Sequence, residues 1–313
     1  MGIFTRRTFV QLASASCLVS TTGSLEVTAQ PKSNIPLHAP HLGTVAKVKP
    51  GGTADATLKR VHDLGLPTCQ IFFEDLNLQE VTPLLEAVKK YDVKVSAISE
   101  HNPGRRIFDF YQGPLTIGVI PPETRRARID ALKLAADFAH ACGIPAVHTH
   151  LGFIPEDPNA PIYPGAISAI KEVAQHCKDQ GVMLLCETGE ETPITMLRMI
   201  QDVATGNVFV NLDTANLILY GKGNPVDAMD VFGHLVRGMH AKDGLFPTDP
   251  RKLGEEVAIG KGRVDFPVLF RKLKEANYTF PVTIEREIEG PQQQQDILQS
   301  RTFLQNLIDK TYR

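Results

Sequence analysis

Short β-rich runs alternate with longer helical patterns from residue 42 almost to the end, and no other feature of the sequence limits the fold as tightly. The predicted strands are 43–45, 68–73, 93–99, 146–150, 182–187, 208–213, 236–240 and 282–285. Helical stretches lie between them, among them 53–64, 78–90, 123–142, 166–180 and 266–276. Leu58, Val61 and Leu64 recur at the spacing of an apolar helical face, as do Leu132, Ala135, Ala136 and Ala139. Lys89-Lys90-Tyr91-Asp92 and Asp179-Gln180-Gly181 fall where helices must turn into strands. Such alternation implies a parallel sheet with helical crossovers. Eight units in about 270 residues fit a closed barrel better than an open sheet. No G-x-G-x-x-G follows the first strand to support a dinucleotide-binding fold. The predicted fold is therefore α/β, a single (β/α)8 TIM barrel. The Gly-, Pro- and aromatic-rich stretch 100–122 reads as a lid or rim over one end.

In this architecture catalytic groups sit where strands end and βα loops begin. That rule selects a small set: the fifth strand ends in Leu184-Leu185-Cys186-Glu187, the sixth in Val210-Asn211-Leu212-Asp213, the seventh in Arg237-Gly238-Met239-His240 and the eighth in Val282-Thr283-Ile284-Glu285. Taken singly, a carboxylate at a strand end is usually a cap or a salt-bridge partner. Three carboxylates and an imidazole converging on one mouth would repel one another without a positive charge among them, and one divalent cation answers that need. An oxygen-rich set with one nitrogen suits Mn2+ first, with Mg2+, Co2+, Zn2+ or Fe2+ compatible with the same donors.

At these residues the chain resembles the sugar isomerase and epimerase superfamily of xylose-isomerase-like barrels, which includes ketose 3-epimerases, hydroxypyruvate isomerase, inosose dehydratase and, more distantly, endonuclease IV. The resemblance covers roughly residues 42–310 and rests on Leu185-Cys186-Glu187-Thr188, Leu212-Asp213-Thr214-Ala215-Asn216, Met239-His240-Ala241-Lys242-Asp243, the run Ile259-Gly260-Lys261-Gly262-Arg263-Val264-Asp265-Phe266 and Ile284-Glu285-Arg286-Glu287. It implies a metal held by Glu187, Asp213, His240 and Glu285, with Glu187 and Glu285 also acting as the acid/base pair. The expected chemistry is removal of a proton next to a sugar carbonyl through a metal-stabilised enediolate, then its return to the opposite face. Expulsion of a β-substituent from the same intermediate would instead make a lyase or dehydratase acting on a keto-sugar or cyclitol ketone.

Further substrate contacts are expected from His150 at the end of the fourth strand, which shares a face with His148, and from His101 and Arg286 on the rim. Lys242 and Asp243 follow the ligand histidine and are expected either to contact substrate, to orient that histidine or to pair with each other. Asn216 stands three residues after Asp213, where ketose epimerases often carry a histidine, and this departure leaves the sugar open.

The first residues read differently. A short basic start, the run Thr5-Arg6-Arg7-Thr8-Phe9-Val10 and a modestly apolar stretch to Val19 have the layout of a twin-arginine export signal, with Val27-Thr28-Ala29 offering a cleavage site before Gln30. Cys17 is poorly placed for lipoprotein processing. The expected organisation is a signal over 1–29, a barrel domain over 30–313 and a periplasmic or otherwise exported location. Phosphorylated sugars are scarce outside the cytoplasm, which favours an unphosphorylated sugar or keto-sugar as the small-molecule partner. Removing 1–29 takes away Arg6, Arg7 and Glu26, making the formal charge of −2 one unit more negative.

With 42% hydrophobic and 22% charged residues the composition is that of an ordinary globular protein. No stretch is long and apolar enough for a membrane span. The acidic balance, and the absence of a D-x-H between Asp243 and Gly260, argue against nucleic acid and a multi-zinc phosphodiesterase. A non-catalytic exported sugar-binding protein would need neither glutamate as a base. Cys69, Cys142, Cys177 and Cys186 lack C-x-x-C spacing and read as small core residues. A homo-oligomer is compatible with everything above.

Overall fold

The segment Thr68–Phe73 is buried at every position, a pattern open to a strand only where both of its faces are covered. In the computed structural model, which describes residues 38–313, helices cover one face and a barrel interior the other. The elements run β1 Leu42–Val48, α1 Ala54–Asp63, β2 Thr68–Phe73, α2 Val81–Tyr91, β3 Lys94–Ser99, α3 Gly113–Thr116, α4 Pro122–Cys142, β4 Ala146–Thr149, α5 Tyr163–Asp179, β5 Met183–Glu187, α6 Pro193–Val203, β6 Val208–Asp213, α7 Asn216–Leu219, α8 Pro225–Phe232, β7 Val236–Ala241, β8 Asp243–Gly244, β9 Glu256–Val257, α9 Phe266–Glu275, β10 Val282–Ile284 and α10 Pro291–Tyr312. Eight strands close a parallel barrel in the order β1-β10-β7-β6-β5-β4-β3-β2. The two-residue strands β8 and β9 pair antiparallel above it.

Side chains alternate between the two faces of every strand. Outward residues such as Cys69, Ile71, Val147, Leu184, Cys186, Leu212 and Met239 join the large apolar core under the helices. Inward residues form a smaller core of Ala97, Ala146 and Leu185. Two positions further along the inward face of the same strands stand His148 after Ala146 and Glu187 after Leu185. The period that fills the barrel floor thus brings the polar residues to its mouth.

Local chemistry sets the ends. Thr53, Thr192, Asn224 and Asp265 each accept an amide hydrogen bond in the first turn of the helix that follows. Leu78–Glu80 forms a 3-10 turn and α2 starts only at Val81, because Pro83 fits the first turn of a helix and not its interior. Pro164 likewise stands in the first turn of α5, which begins at Tyr163. The stretch 100–121 is stapled by one buried side chain. Arg128 of α4 donates to the carbonyls of Pro103, Arg105, Thr116 and Gly118 at 3.1, 2.9, 2.5 and 2.7 Å.

The expected export signal and Cys17 lie outside the described residues. Among the described residues no helix is long and apolar enough to cross a membrane. Cys69, Cys177 and Cys186 are buried, Cys142 is half-buried, and all four are free.

Candidate metal centre

Going round the barrel from β10 through β7 and β6 to β5, neighbouring strands deliver Glu285, His240, Asp213 and Glu187 in turn. Asp213 is level with His240, whereas Glu285 stands two residues past Thr283, the partner of His240, and Glu187 pairs with Asn211, two residues before Asp213. One ligand atom from each lies within 4.8 Å of all the others. His240 is central: its Nδ1 stands 3.2 Å from Glu187 Oε1, 3.4 Å from Glu285 Oε2 and 3.9 Å from Asp213 Oδ2. Two threonines stitch the strand ends together. The Thr188 hydroxyl bonds to the N–H and C=O of Asp213, and the Thr214 hydroxyl to those of Lys242.

The charges are crowded. Burial works against the negative charge of Glu187, but His150, His240 and His148 outweigh it and hold the carboxyl well below its ordinary range. For Glu285 burial is again outweighed, here by Lys242 and His240. Asp213 goes the other way: burial, with Glu285 and Glu187 nearby, raises it against the pull of Lys242 and His240. His240 and Lys242 are both raised, since the carboxylates prevail over burial.

Asp213 also shows what the cluster lacks. Its Oδ1 accepts the amides of Ala215 and Asn216 at 2.8 and 2.7 Å, whereas its buried Oδ2, 3.5 Å from Lys242 Nζ and 3.9 Å from His240 Nδ1, makes no hydrogen bond. An orphaned carboxylate oxygen facing two further carboxylates and an imidazole nitrogen is a donor set that fits a divalent cation. His148, Glu187 and His240 form a second potential ligand group that shares two of these members.

A polar shell surrounds the four. Glu187 Oε2 meets His148 Nε2 at 2.5 Å and His150 Nε2 at 3.3 Å. His150 Nδ1 in turn lies 2.9 Å from Glu190 Oε1. Asn216 Nδ2 donates to Glu187 Oε1 at 3.1 Å, and its Oδ1 accepts from Lys242 Nζ at 3.1 Å. Lys242, only 2% exposed, also reaches Glu285 and Glu287. His101 stacks against His148 and His150, with ring centroids 5.5 and 5.3 Å apart, and contacts none of the four. Phe108, 46% exposed, packs edge-on against His150 from the lid.

Asp243 and Arg286, both expected as substrate contacts, are held by other groups of the chain. Asp243 points out of the barrel: Oδ1 accepts the amides of Gly244 and Val264, and Oδ2 those of Gly260 and Gly262. It fixes the Gly260-Lys261-Gly262 turn, while the Lys242 ammonium pairs with Asp213, Glu285 and Glu287 instead. Arg286 is engaged at both ends of its guanidinium, by Glu256 at 3.0 Å and Asp296 at 2.8 Å, and ties β9 to α10. Three further polar residues escaped the sequence reading: Gln70, whose Oε1 lies 2.8 Å from His240 Nε2, Glu190 beside His150, and Tyr220, packed against Phe110 and Phe153 with its hydroxyl buried and unpartnered. Gln70 carried a signal, as a lone amide on an inward position of an otherwise apolar strand; Glu190 and Tyr220, in loops, carried none.

The segment 58–307 matches the model of the xylose isomerase-like TIM barrel family. The crystal structure of a xylose isomerase domain protein from Planctomyces limnophilus is 31% identical, the match covering 87% of this chain and 99% of that one at a TM-score of 0.82. A D-tagatose 3-epimerase-like protein superposes over 86% of this chain and 98% of its own at a TM-score of 0.68 and 17% identity. A xylose isomerase-like TIM barrel protein from Mycobacterium smegmatis, in complex with magnesium, covers 87% of this chain and 98% of its own at a TM-score of 0.66 and 16% identity. At these identities the last two likenesses concern the fold alone. An uncharacterized protein of Methanocaldococcus jannaschii is 23% identical over 176 residues, which span 52% of this chain and 58% of that relative.

Proposed function

The chain belongs to the xylose isomerase-like TIM barrel family, and on that premise we propose that it is a sugar epimerase or isomerase dependent on one divalent metal. Glu187, Asp213, His240 and Glu285 would hold the ion, Mn2+ first among candidates. The observation that carries this reading is the convergence of these four buried or half-buried groups within 4.8 Å, with Asp213 Oδ2 left without a hydrogen bond. The D-tagatose 3-epimerase-like neighbour and the neighbour in complex with magnesium agree with a sugar substrate and with a bound divalent ion. When bound, the ion supplies the positive charge that makes a C–H beside a sugar carbonyl acidic enough to lose its proton.

The residues around it divide the remaining work. Glu187 and Glu285 stand at the two ends of the run of ligands, one to remove the proton and one to return it to the opposite face. They are not equivalent. Every oxygen of Glu187 is already engaged by His148, His150, His240 or Asn216. Glu285 keeps its side chain 15% exposed and bonds through Oε2 alone, so it is the one a substrate entering from the mouth meets first. Lys242 and His150 are placed to bind the sugar oxygens. The mouth is rich in carboxylates and its one buried ammonium is shared among them, which favours an unphosphorylated sugar. That agrees with the proposed export of the chain.

The test is solvent deuterium exchange into free and 3-keto sugars with Mn2+ present. The wild type should exchange one carbon-bound hydrogen in its substrate, and Glu187→Gln and Glu285→Gln should each abolish exchange. Absence of exchange in every sugar that demonstrably binds would sink the proposal. Because proton removal precedes either outcome, the same experiment detects a lyase.

A further inference from the structure

A glutamine and an asparagine sit in the barrel interior just beneath the proposed metal site, and they are joined. Gln70 of β2 is 2% exposed and Asn211 of β6 fully buried. Gln70 Nε2 donates to Asn211 Oδ1 at 2.9 Å across the barrel, and Gln70 Oε1 lies 2.8 Å from His240 Nε2. The link exists because β7 leaves space for it. A Cβ built on Gly238 would stand 2.3 Å from Asn211 Oδ1 and 3.1 Å from Leu185 Cδ1. A buried amide pair is costly in a core unless its hydrogen bonds are made, so its place inside a barrel otherwise lined by Ala97, Ala146 and Leu185 calls for a reason.

We propose that Gln70 is a positioning residue for the metal centre: held by Asn211, its carbonyl oxygen takes the Nε2–H of His240 and thereby presents the Nδ1 lone pair to the cation. Gln70 Nε2 donates to Asn211 Oδ1 and leaves Oε1 for His240; the Asn211 amide nitrogen is buried without a partner, so the sense of the pair is set by the cation's need for a lone pair on Nδ1. An acceptor at Nε2 selects the imidazole protonated there. That form has its free lone pair on Nδ1, the atom facing Glu187, Asp213 and Glu285. With the amide reversed, the proton would sit on Nδ1 and point into the ligand set. Outer partners of this kind are typically worth about 10–100-fold in metal affinity.

This inference rests on the metal reading above, and its test separates the two. Mn2+ binding is measured by titration calorimetry on the wild type, Gln70→Met and Gln70→Glu, with melting of each metal-free protein alongside. Gln70→Met keeps the length and loses the acceptor, so it should bind about 10–100-fold more weakly. Gln70→Glu keeps an acceptor, with Asn211 able to turn its own amide nitrogen toward the new carboxylate, and should stay close to the wild type. No binding by the wild type overturns both the metal reading and this proposal. Wild-type affinity in Gln70→Met, or equal losses in both variants, overturns this proposal alone. A variant-free measurement covers the case in which Met at position 70 is not tolerated. In the Zn2+-loaded wild type, 15N spectra should show His240 protonated at Nε2; a proton on Nδ1 would refute the assignment.

Discussion

The Lys242 ammonium stands 3.2 Å from Glu285 Oε2, so a cation belonging to the chain already rests against a carboxylate that the proposed metal would share. It also lies 3.5 Å from Asp213 Oδ2 and 2.7 Å from Glu287 Oε1. Removing one partner of a buried ion pair leaves the other uncompensated, which is where most of the cost arises. Lys242→Met should therefore destabilise the metal-free protein by about 3 kcal/mol. Saturating Mn2+ should restore much of the loss by binding only the folded form. Thermal unfolding with and without Mn2+ measures both effects, and unchanged melting of the metal-free variant would contradict this role.

His240 faces all three carboxylates through Nδ1, so His240→Ala removes the one nitrogen donor of the set. The loss of Mn2+ affinity should exceed the roughly 100-fold upper value for outer partners. Metal content after dialysis against Mn2+ would show it: about one equivalent in the wild type and a small fraction in the variant. An unchanged metal content would place the ion elsewhere.

The clustering of Glu187, Asp213, His240 and Glu285 was legible because two regularities coincide: a TIM barrel works at its strand ends, and side chains alternate along a strand. The placements of Asp243 and Arg286 turn on the second. In the run His240-Ala241-Lys242-Asp243, His240 and Lys242 point inward and Asp243 points out, where four amides capture it. In Glu285-Arg286-Glu287 the parity is the same: Glu285 and Glu287 reach Lys242, while Arg286 turns to Glu256 and Asp296. Parity would also have found Gln70, two residues after Thr68 on the inward face of β2. It could not have found Glu190 or Tyr220, whose directions depend on loop paths that no short-range pattern encodes.

The lid should depend on Arg128. Its guanidinium serves four carbonyls between Pro103 and Gly118, and Arg128→Met would leave all four without that donor. Hydrogen bonds from a charged group contribute about 1.5–3 kcal/mol each; because local opening of the segment lets water replace them, the expected global loss is about 3 kcal/mol in all. Limited proteolysis should then cut within 100–121 in the variant and spare the wild type. Equal resistance of the two proteins would show that aromatic packing, such as Phe108 on His150 and Phe110 on Tyr220, holds the lid without the arginine.

Glu100, at the root of the same lid, should make stability fall as pH rises. Burial raises its carboxyl to about 7, against the lowering effect of the Asn102 and His101 amides. Between the unfolded value near 4.5 and about 7 the folded protein therefore holds a proton that the unfolded chain has released. The favourable contribution is complete below the unfolded value and is lost as pH climbs through about 7, by at most about 3 kcal/mol for this group. Glu100→Gln keeps the carbonyl that accepts from the Asn102 amide and removes the titration. Relative to the wild type it should gain stability at pH 8 and little at pH 5, read from urea unfolding at the two values. A variant that shifts both midpoints equally would mean that Glu100 does not titrate in this range, and that the slope belongs to another group.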